Sequence, residues 1–202
     1  MRVLVNAIEE QRKIFLSKPW PQEVDIHWFN GIIQEADVYI DCCFENAASP
    51  FEPITDKLVF VNDVIGETKK PNFIRFNGWK SFAERPLLEI AAANKHWLFL
   101  AEQALLQMGW KYITAPDEPG FISARTVAMI VNEAYFALED AVSSKNEIDT
   151  AMKLGTNYPY GPFEWSSIIG LSKIARLLQQ LTLKDKRYTP STLLLKEANF
   201  IL

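Results

Sequence analysis

The pattern of apolar and polar residues changes about halfway along the chain. In the first half, short apolar runs of β type occur at residues 2–5, 23–29, 36–44, 57–64, 72–76, 87–92 and 111–114. Residues 8–17 and 97–108 have the three-and-four spacing of amphipathic helices. Strands that alternate with helical segments favour a mostly parallel α/β sheet.

The second half has a helical pattern. Apolar residues spaced by three or four predict one buried stripe on a long helix: Phe121, Ala124, Ala128, Val131, Tyr135, Leu138 and Val142. Ser144 and Glu147 have the spacing of a capping box, which predicts the start of a second helix. Gly155 is predicted to end that helix in a left-handed conformation, and Gly161-Pro162 to begin a third. We therefore predict an α/β domain over 1–117 and a helical domain over 118–202.

Composition and charge narrow the classes of partner. The chain has 202 residues and a formal net charge of −4, so electrostatics do not favour nucleic acid or an anionic membrane surface. No apolar run is long enough to span a bilayer, and acidic residues occupy the place of a signal peptide's apolar core. Cys42 and Cys43 are interpreted as small buried strand residues in a reducing cytoplasm. We expect a cytoplasmic protein with no metal site.

Several motifs in the second half occur together and in order. They are PGFISAR at 119–125, NEA at 132–134, IDTAMKLG at 148–155, YPYGPFEWSSIIGL at 158–171 and RYTPSTLL at 187–194. This set resembles the C-terminal domain of the 3-hydroxyacyl-CoA dehydrogenases. The resemblance implies an abbreviated Rossmann-like sheet followed by a helical domain that forms a homodimer. It also implies NAD as cofactor, an acyl-CoA-type ligand and a place in fatty-acid metabolism.

The predicted nucleotide-binding turn departs from that family. Dinucleotide sites need glycines after the first strand so that backbone N–H groups can approach the pyrophosphate. Residues 6–11 contain no glycine, and Glu9 and Glu10 would repel phosphate. Phe29 and Asn30 stand where an acidic residue would hold the ribose. The resemblance also implies a helical excursion before residue 36 that helps to hold CoA, and the chain is too short there to contain it.

The catalytic positions implied by the resemblance are also altered. Glu89 matches the family glutamate that orients a catalytic histidine, and counting back twelve residues reaches Asn77. A gapped alignment places Arg75 at the histidine position instead. Neither an amide nor an arginine can act as a general base near neutral pH. Ala124 stands at the family's carbonyl-polarising asparagine, while His27 and His96 lie outside the motif and are interpreted as structural or surface residues.

A few family positions are retained. Asn62 and the pair Glu45-Asn46 match strand-end residues near the family's cofactor, whereas Val64 or Ile65 replaces a serine. We take Glu89 and Asn77 as candidate catalytic residues, and Glu45, Asn46 and Asn62 as candidate cofactor-binding residues. Each has a structural alternative, because strand-end Asn and Glu side chains often bond to the local backbone.

Two functional hypotheses follow. The first is a divergent family member without normal NAD-dependent activity, with no cofactor, that acts as a dimeric binding or interaction protein. The second is an active oxidoreductase, or another acyl-CoA or hydroxy-acid enzyme, with an altered site in a cleft between the two domains. In either case a degenerate active site is expected.

Overall fold

The computed structural model describes residues 1–200 and divides the chain into two compact units, Met1–Phe121 and Ile122–Leu202. The first unit contains a seven-stranded sheet with three helices. Its strands are β1 (Arg2–Asn6), β2 (Asp25–Trp28), β3 (Val38–Asp41), β4 (Leu58–Asn62), β5 (Phe73–Phe76), β6 (Leu87–Ala91) and β7 (Lys111–Thr114). Its helices are α1 (Glu9–Leu16), α2 (Lys80–Ala83) and α3 (Lys95–Gln107).

The sheet has the strand order β2-β1-β3-β4-β5-β6-β7. All neighbouring strands are parallel except β5 and β6, which pair antiparallel with Phe76 opposite Ile90. The predicted mostly parallel sheet is therefore confirmed. The order reverses beside β1, where β2 lies on one side and β3 on the other, and this position is the topological switch point of the sheet.

The central strands of the sheet are buried on both faces. Every residue of β3, β4 and β5 is buried, and each strand is apolar except for one residue, which is Asp41, Asn62 and Arg75 respectively. One face packs on α1 and α3, with Phe15, Leu105 and Met108 in its core. The other face packs on the loop around Phe51, which is fully buried.

The second unit is helical. Its elements are α4 (Ser123–Glu139), α5 (Lys145–Thr156), α6 (Pro162–Ile169), α7 (Leu171–Thr182) and α8 (Thr192–Glu197). The central helix α4 buries Ala124, Ala128, Val131 and Tyr135, four members of the predicted stripe. Ser144 and Glu147 form the predicted capping box at the start of α5, and Pro162 is the first residue of α6.

Two details of the helical prediction are wrong. The residue that ends α5 in the left-handed conformation is Asn157, with φ of 55°, and Gly155 lies inside the helix. Asparagine tolerates this conformation because its short polar side chain bonds locally. The buried stripe also ends before Val142, which is 71% exposed, because α4 ends at Glu139 and Ala141 has a positive φ.

The predicted third strand was too long at both ends. β3 covers Val38–Asp41, and the chain then turns into a short 3-10 helix at Phe44–Asn46. Cys42 and Cys43 therefore lie in the turn and not in the strand, and only Cys42 is fully buried. The run of apolar residues continues past the strand because the turn itself is packed against the sheet. Apolar composition alone could not locate its end.

Candidate functional site

The carboxyl ends of β1 and β3 meet at the switch point, where open α/β sheets bind their ligands. Asn6 ends β1 and Asp41 ends β3, and the two residues are opposite each other in the register. The Asn6 amide Nδ2 donates to Asp41 Oδ1 at 2.9 Å, and the backbone N–H of Cys43 donates to the same oxygen at 3.0 Å. A fully buried carboxyl group linked to an amide thus occupies this edge of the sheet.

Burial raises the pKa of Asp41, and hydrogen bonds from Ser49, Cys43 and Asn6 only partly offset that effect. An acidic group therefore lies at the end of β3, beside the turn after β1 that carries the glycines in a dinucleotide-binding fold. A pyrophosphate brought to this edge would meet an acid in a low-dielectric environment.

The N-terminus of α1 carries acidic side chains and one side-chain hydrogen bond to its backbone. The Gln11 side chain accepts a hydrogen bond from the backbone N–H of Ile8 at 3.0 Å and donates to the carbonyl of Cys42 at 2.8 Å. Glu9 and Glu10 occupy the first turn, and Glu10 pairs with Lys80. The positive end of the helix dipole is therefore already compensated by carboxylates, and one of its N–H groups is capped by a side chain of the same turn.

The candidate catalytic pair lies where β5 and β6 run antiparallel. Asn77 follows β5 and Glu89 lies on β6, and both are buried. Asn77 Nδ2 donates to Glu89 Oε2 at 2.9 Å, and the Asn77 backbone N–H donates to the carbonyl of Glu89 at 3.0 Å. The two residues are thus paired twice, at the twelve-residue separation that the sequence predicted.

The family resemblance predicts a base and its orienting carboxylate at these two positions, and an amide stands at the first of them. Both polar atoms of the Asn77 side chain are engaged, because its Oδ1 also accepts the N–H of Trp79 at 3.4 Å. An amide in this position can fix a geometry and donate a hydrogen bond. It cannot accept a proton from an alcohol near neutral pH.

Asn62 and Glu45 form hydrogen bonds to the loop that contains Asn77. Asn62 accepts the N–H of Gly78 at 3.0 Å and donates to the carbonyl of Cys42 at 3.2 Å. Glu45 accepts the N–H of Val64 at 2.7 Å and the indole N–H of Trp79 at 3.0 Å. These two candidate cofactor-binding residues therefore hold the polypeptide next to Asn77.

Gly78 is required by this arrangement, because a Cβ there would approach the Asn62 side chain to 2.6 Å. Asn46 is exposed, and its backbone closes the 3-10 turn by donating to the carbonyl of Cys43 at 2.9 Å. The structure thus brings Glu45, Asn62, Asn77 and Glu89 together around one loop and leaves Asn46 at the surface.

Arg75, the other residue aligned with the histidine position, has a different role. Its side chain is 1% exposed and pairs with Asp117 at 2.7 Å. Its Nε donates to the carbonyl of Asp63 at 2.9 Å, and its guanidinium lies 4.8 Å from the centre of the Phe121 ring. A buried arginine held by a carboxylate and carbonyls is a structural cation.

The contacts recorded for the two histidines are with residues outside this loop. His27 on β2 contacts Asp25 at 2.7 Å on an exposed part of the strand. His96 is exposed at the start of α3, beside the ring of Trp97. Within the described residues, no group of three or more His, Cys, Asp or Glu side chains could hold a metal ion.

The motifs of the helical unit have structural roles. The buried carboxylate of Asp149 accepts the backbone N–H of Phe163 at 2.8 Å and that of Glu164 at 3.1 Å, and so caps α6 from α5. Asn132 on α4 donates to the carbonyl of Thr189 at 2.9 Å and accepts the N–H of Ser191 at 2.8 Å. The motif residues thus fix how the helices of this unit pack on one another.

Sequence reasoning missed Asp41 as a buried acid and Asp117 as the partner of the buried Arg75. Asp41 is preceded by an apolar strand and followed by two cysteines, which is a detectable signal for a buried strand-end carboxylate. Asp117 lies in the proline-containing segment that was interpreted only as a boundary. Its role depends on Arg75, which is 42 residues away in the chain, and no local pattern records that pairing.

Comparison with known proteins gives a consistent result. The model of the 3-hydroxyacyl-CoA dehydrogenase C-terminal domain matches residues 120–199. The chain is 47% identical over 96 residues to the 3-hydroxyadipyl-CoA dehydrogenase of Escherichia coli K12, covering 46% of this chain and 20% of that protein. It is 30% identical over 146 residues to a 3-hydroxybutyryl-CoA dehydrogenase of Bradyrhizobium diazoefficiens, covering 68% of this chain and 49% of that protein.

A solved structure supports the fold. The crystal structure of (S)-3-hydroxybutyryl-CoA dehydrogenase from Ralstonia eutropha matches with a TM-score of 0.70 and 21% identity, over 88% of this chain and 70% of that one. The sheet with its switch point and the helical unit that follows it define a Rossmann-type dehydrogenase fold. With the motif matches, they identify the chain as a member of the 3-hydroxyacyl-CoA dehydrogenase family. The matched regions span a fifth to about half of the curated relatives named above.

Proposed function

We propose that this chain is a divergent 3-hydroxyacyl-CoA dehydrogenase homologue that does not catalyse NAD-dependent hydride transfer and acts as a binding or interaction protein. The observation that carries the proposal is the buried Asn77–Glu89 pair, in which an amide stands at the position of a general base. Without a base, the substrate hydroxyl keeps its proton and the hydride donor cannot be formed from it.

The acidic residues around the switch point support the same proposal. Glu9 and Glu10 lie in the first turn of the helix after β1, Asp41 lies opposite Asn6 at the end of β3, and Gln11 accepts the N–H of Ile8. Binding a pyrophosphate there would require displacing a side-chain cap and placing phosphate charge beside carboxylates. On this proposal NAD, the cofactor of the family, is not bound in the family manner.

We propose that the helical unit mediates self-association into a homodimer. Its outer surface carries large apolar side chains, among which Leu154 is 84% exposed and Phe136 is 37% exposed. Ala128 and Val131 are each 0% exposed within one chain, so they belong to the unit's own core. A charge at Leu154 therefore tests association, whereas a charge at Val131 tests folding.

A turnover assay tests the proposal. Purified protein is mixed with NADH and acetoacetyl-CoA, and the decrease in NADH absorbance is followed over hours. We expect no oxidation above the enzyme-free rate for the wild type or for Asn77→His, since the variant restores a base but not the nucleotide site. Measurable turnover by the wild type would contradict the proposal.

A second candidate function is an oxidoreductase, or an acyl-CoA or hydroxy-acid enzyme, with an altered site. Glu89 favours it, because this carboxylate is kept buried and oriented by Asn77. Under this alternative, any turnover found should be abolished by Glu89→Gln. Unchanged turnover in that variant would remove Glu89 from the site.

A further inference from the structure

The first unit contains a small cavity apart from the Asn77–Glu89 pair. It has a volume of about 240 Å³ and lies between the segment after α1, the loop after α2 and the residues leading into β7. At about 30 Å³ for each water, this is room for roughly eight water-sized groups. The cavity therefore suits a ligand of about that many non-hydrogen atoms.

The walls of the cavity are mainly apolar. Leu88 and Trp110 line it, and both are buried. Trp110 is held in place by edge contacts with Phe15 at 5.3 Å and Trp20 at 4.7 Å between ring centres. The indole ring is thus a fixed flat surface and does not have to be ordered when a ligand binds. Trp110 is 6% exposed, so a ligand in the cavity would contact only the small part of the ring that lines it, at low entropic cost.

The charges around the cavity are predominantly positive. Lys18, Arg85 and Lys111 line it, against the single carboxylate of Glu84. Lys18 is the best placed of these cations, because its ammonium lies 5.3 Å from the centre of the Trp110 ring and donates to the carbonyl of Arg85 at 3.1 Å. Within the described residues it forms no ion pair with a carboxylate.

Burial lowers the pKa of Lys18, which is the response of a partly desolvated cation that lacks a counter-ion. An ammonium group has three N–H donors, and the carbonyl of Arg85 takes one of them. A bound carboxylate would provide the missing counter-charge and accept a charge-assisted hydrogen bond. A neutral ligand of the same shape would provide neither.

We propose that this cavity binds a small aromatic monocarboxylate of about the size of benzoate, with its ring beside Trp110 and its carboxylate on Lys18. The volume of the cavity, its apolar walls and its excess of cations agree on this class of ligand. The site is separate from the loop around Asn77, so the proposal does not depend on the function proposed above.

The test uses the full-length protein labelled with ¹⁵N, with benzoate as the probe and benzamide as its uncharged isostere. We expect benzoate to shift the indole N–H signal of Trp110 in a saturable manner, with a dissociation constant in the millimolar range or tighter. Benzamide should bind at least about tenfold more weakly, because it cannot pair with the ammonium.

Variants locate the charge that is responsible. Lys18→Met should weaken benzoate binding by about tenfold or more, whereas Lys18→Arg should stay within about threefold of the wild type. Lys13→Met is the matched control, since Lys13 lies on α1 with its side chain 75% exposed, and it should bind like the wild type.

Three results would each overturn the proposal. They are equal affinity for benzoate and benzamide, unchanged affinity in Lys18→Met, and no saturable shift of the Trp110 indole signal in the wild type. The last readout needs no variant, so the test remains decisive if Lys18→Met does not fold.

Discussion

The cap that α5 provides to α6 gives the sharpest stability prediction. The perturbation is Asp149→Asn, which keeps the shape of the side chain and removes its charge. Asp149 is 8% exposed, and its two oxygens accept the N–H groups of Phe163 and Glu164 at 2.8 and 3.1 Å. An amide can accept only one of these hydrogen bonds, because its nitrogen is a donor and would face the second N–H group.

The magnitude follows from the two interactions that are lost. A hydrogen bond to a charged group contributes roughly 1.5–3 kcal/mol, and a carboxylate at a helix N-terminus about 0.3–1 kcal/mol more. We expect Asp149→Asn to lower the free energy of unfolding by about 2–3 kcal/mol. If the whole chain unfolds together, the melting temperature falls by about 5–10 °C.

Differential scanning calorimetry and circular dichroism at neutral pH measure this change. Asp140→Asn is the matched control, because Asp140 is exposed just after α4 and an amide there should change the free energy of unfolding by less than about 0.5 kcal/mol. If the two variants melt within about 1 °C of each other, the capping argument is refuted, and with it the structural role assigned to the IDTAMKLG motif.

The remaining predictions concern packing and pH. Gly161→Ala should destabilise the protein, because the added Cβ would approach the Asp149 carboxylate to 2.3 Å. Gly155→Ala should be neutral or stabilising by up to about 1 kcal/mol, because no atom lies within 4 Å of the added Cβ. Thermal unfolding compares the two variants directly. Asp41→Asn should stabilise the protein at pH 7, because burial raises the pKa of Asp41 and the wild type loses stability as the pH rises through that raised pKa. Urea titrations should show that the gain in the free energy of unfolding shrinks toward pH 4, and a gain that grew toward pH 4 would contradict the argument. Hydrogen bonds from Ser144 and Ser143 lower the pKa of Glu147 from 4.5 to about 2, so the stability that Glu147 contributes is present above pH 4.5 and is lost as the pH falls toward 2. Glu147→Gln should flatten the pH dependence of the melting temperature in that window, and an unchanged slope would count against the capping box.

Much of the sheet could be predicted because its strands are buried on both faces. The strands around Val3 and Val59 contain uninterrupted apolar runs, and the strand around Ile74 is apolar except for Arg75. Val3, Val59 and Ile74 are each 0% exposed. The antiparallel pairing of β5 and β6 could not be predicted, because a fully buried strand has the same composition in either direction. That pairing is what places Asn77 opposite Glu89.

In the helical unit, local sequence signals predicted how a helix begins but not how it ends. The capping box at Ser144 is a local signal between residues three apart, and it was predicted correctly. The end of the same helix was misplaced, because Gly155 and Asn157 both tolerate a left-handed conformation and only the packing decides between them. The cap from Asp149 to Phe163 was not foreseen, since it joins residues fourteen apart across a turn.

The candidate site could be predicted in part. The spacing between Asn77 and Glu89 came from the family resemblance, and the structure places the two side chains in contact. The ion pair of Arg75 with Asp117 could not be found from local sequence, although it accounts for an arginine in an otherwise apolar strand. Buried ion pairs between distant segments leave no periodic pattern, so sequence reasoning left Arg75 as an alternative to Asn77.

The described residues contain no helix long and apolar enough to cross a membrane.

The self-association proposed for the helical unit is tested by sedimentation of the wild type and of Leu154→Glu. We expect a dimer for the wild type and a shift toward monomer for the variant, because a charge on an 84% exposed side chain disturbs an interface without disturbing the core. A wild-type monomer at all concentrations would contradict that proposal.

We propose that the switch point beside β1 does not hold a nicotinamide nucleotide. The most direct measurement is the melting temperature of the protein titrated with NADH, in parallel with NAD, CoA and acetoacetyl-CoA. A ligand at a hundred times its dissociation constant stabilises a protein by about 2.7 kcal/mol, which would raise the melting temperature by several degrees. We predict no rise with NADH or NAD. A saturable rise of several degrees with either nucleotide would contradict the claim.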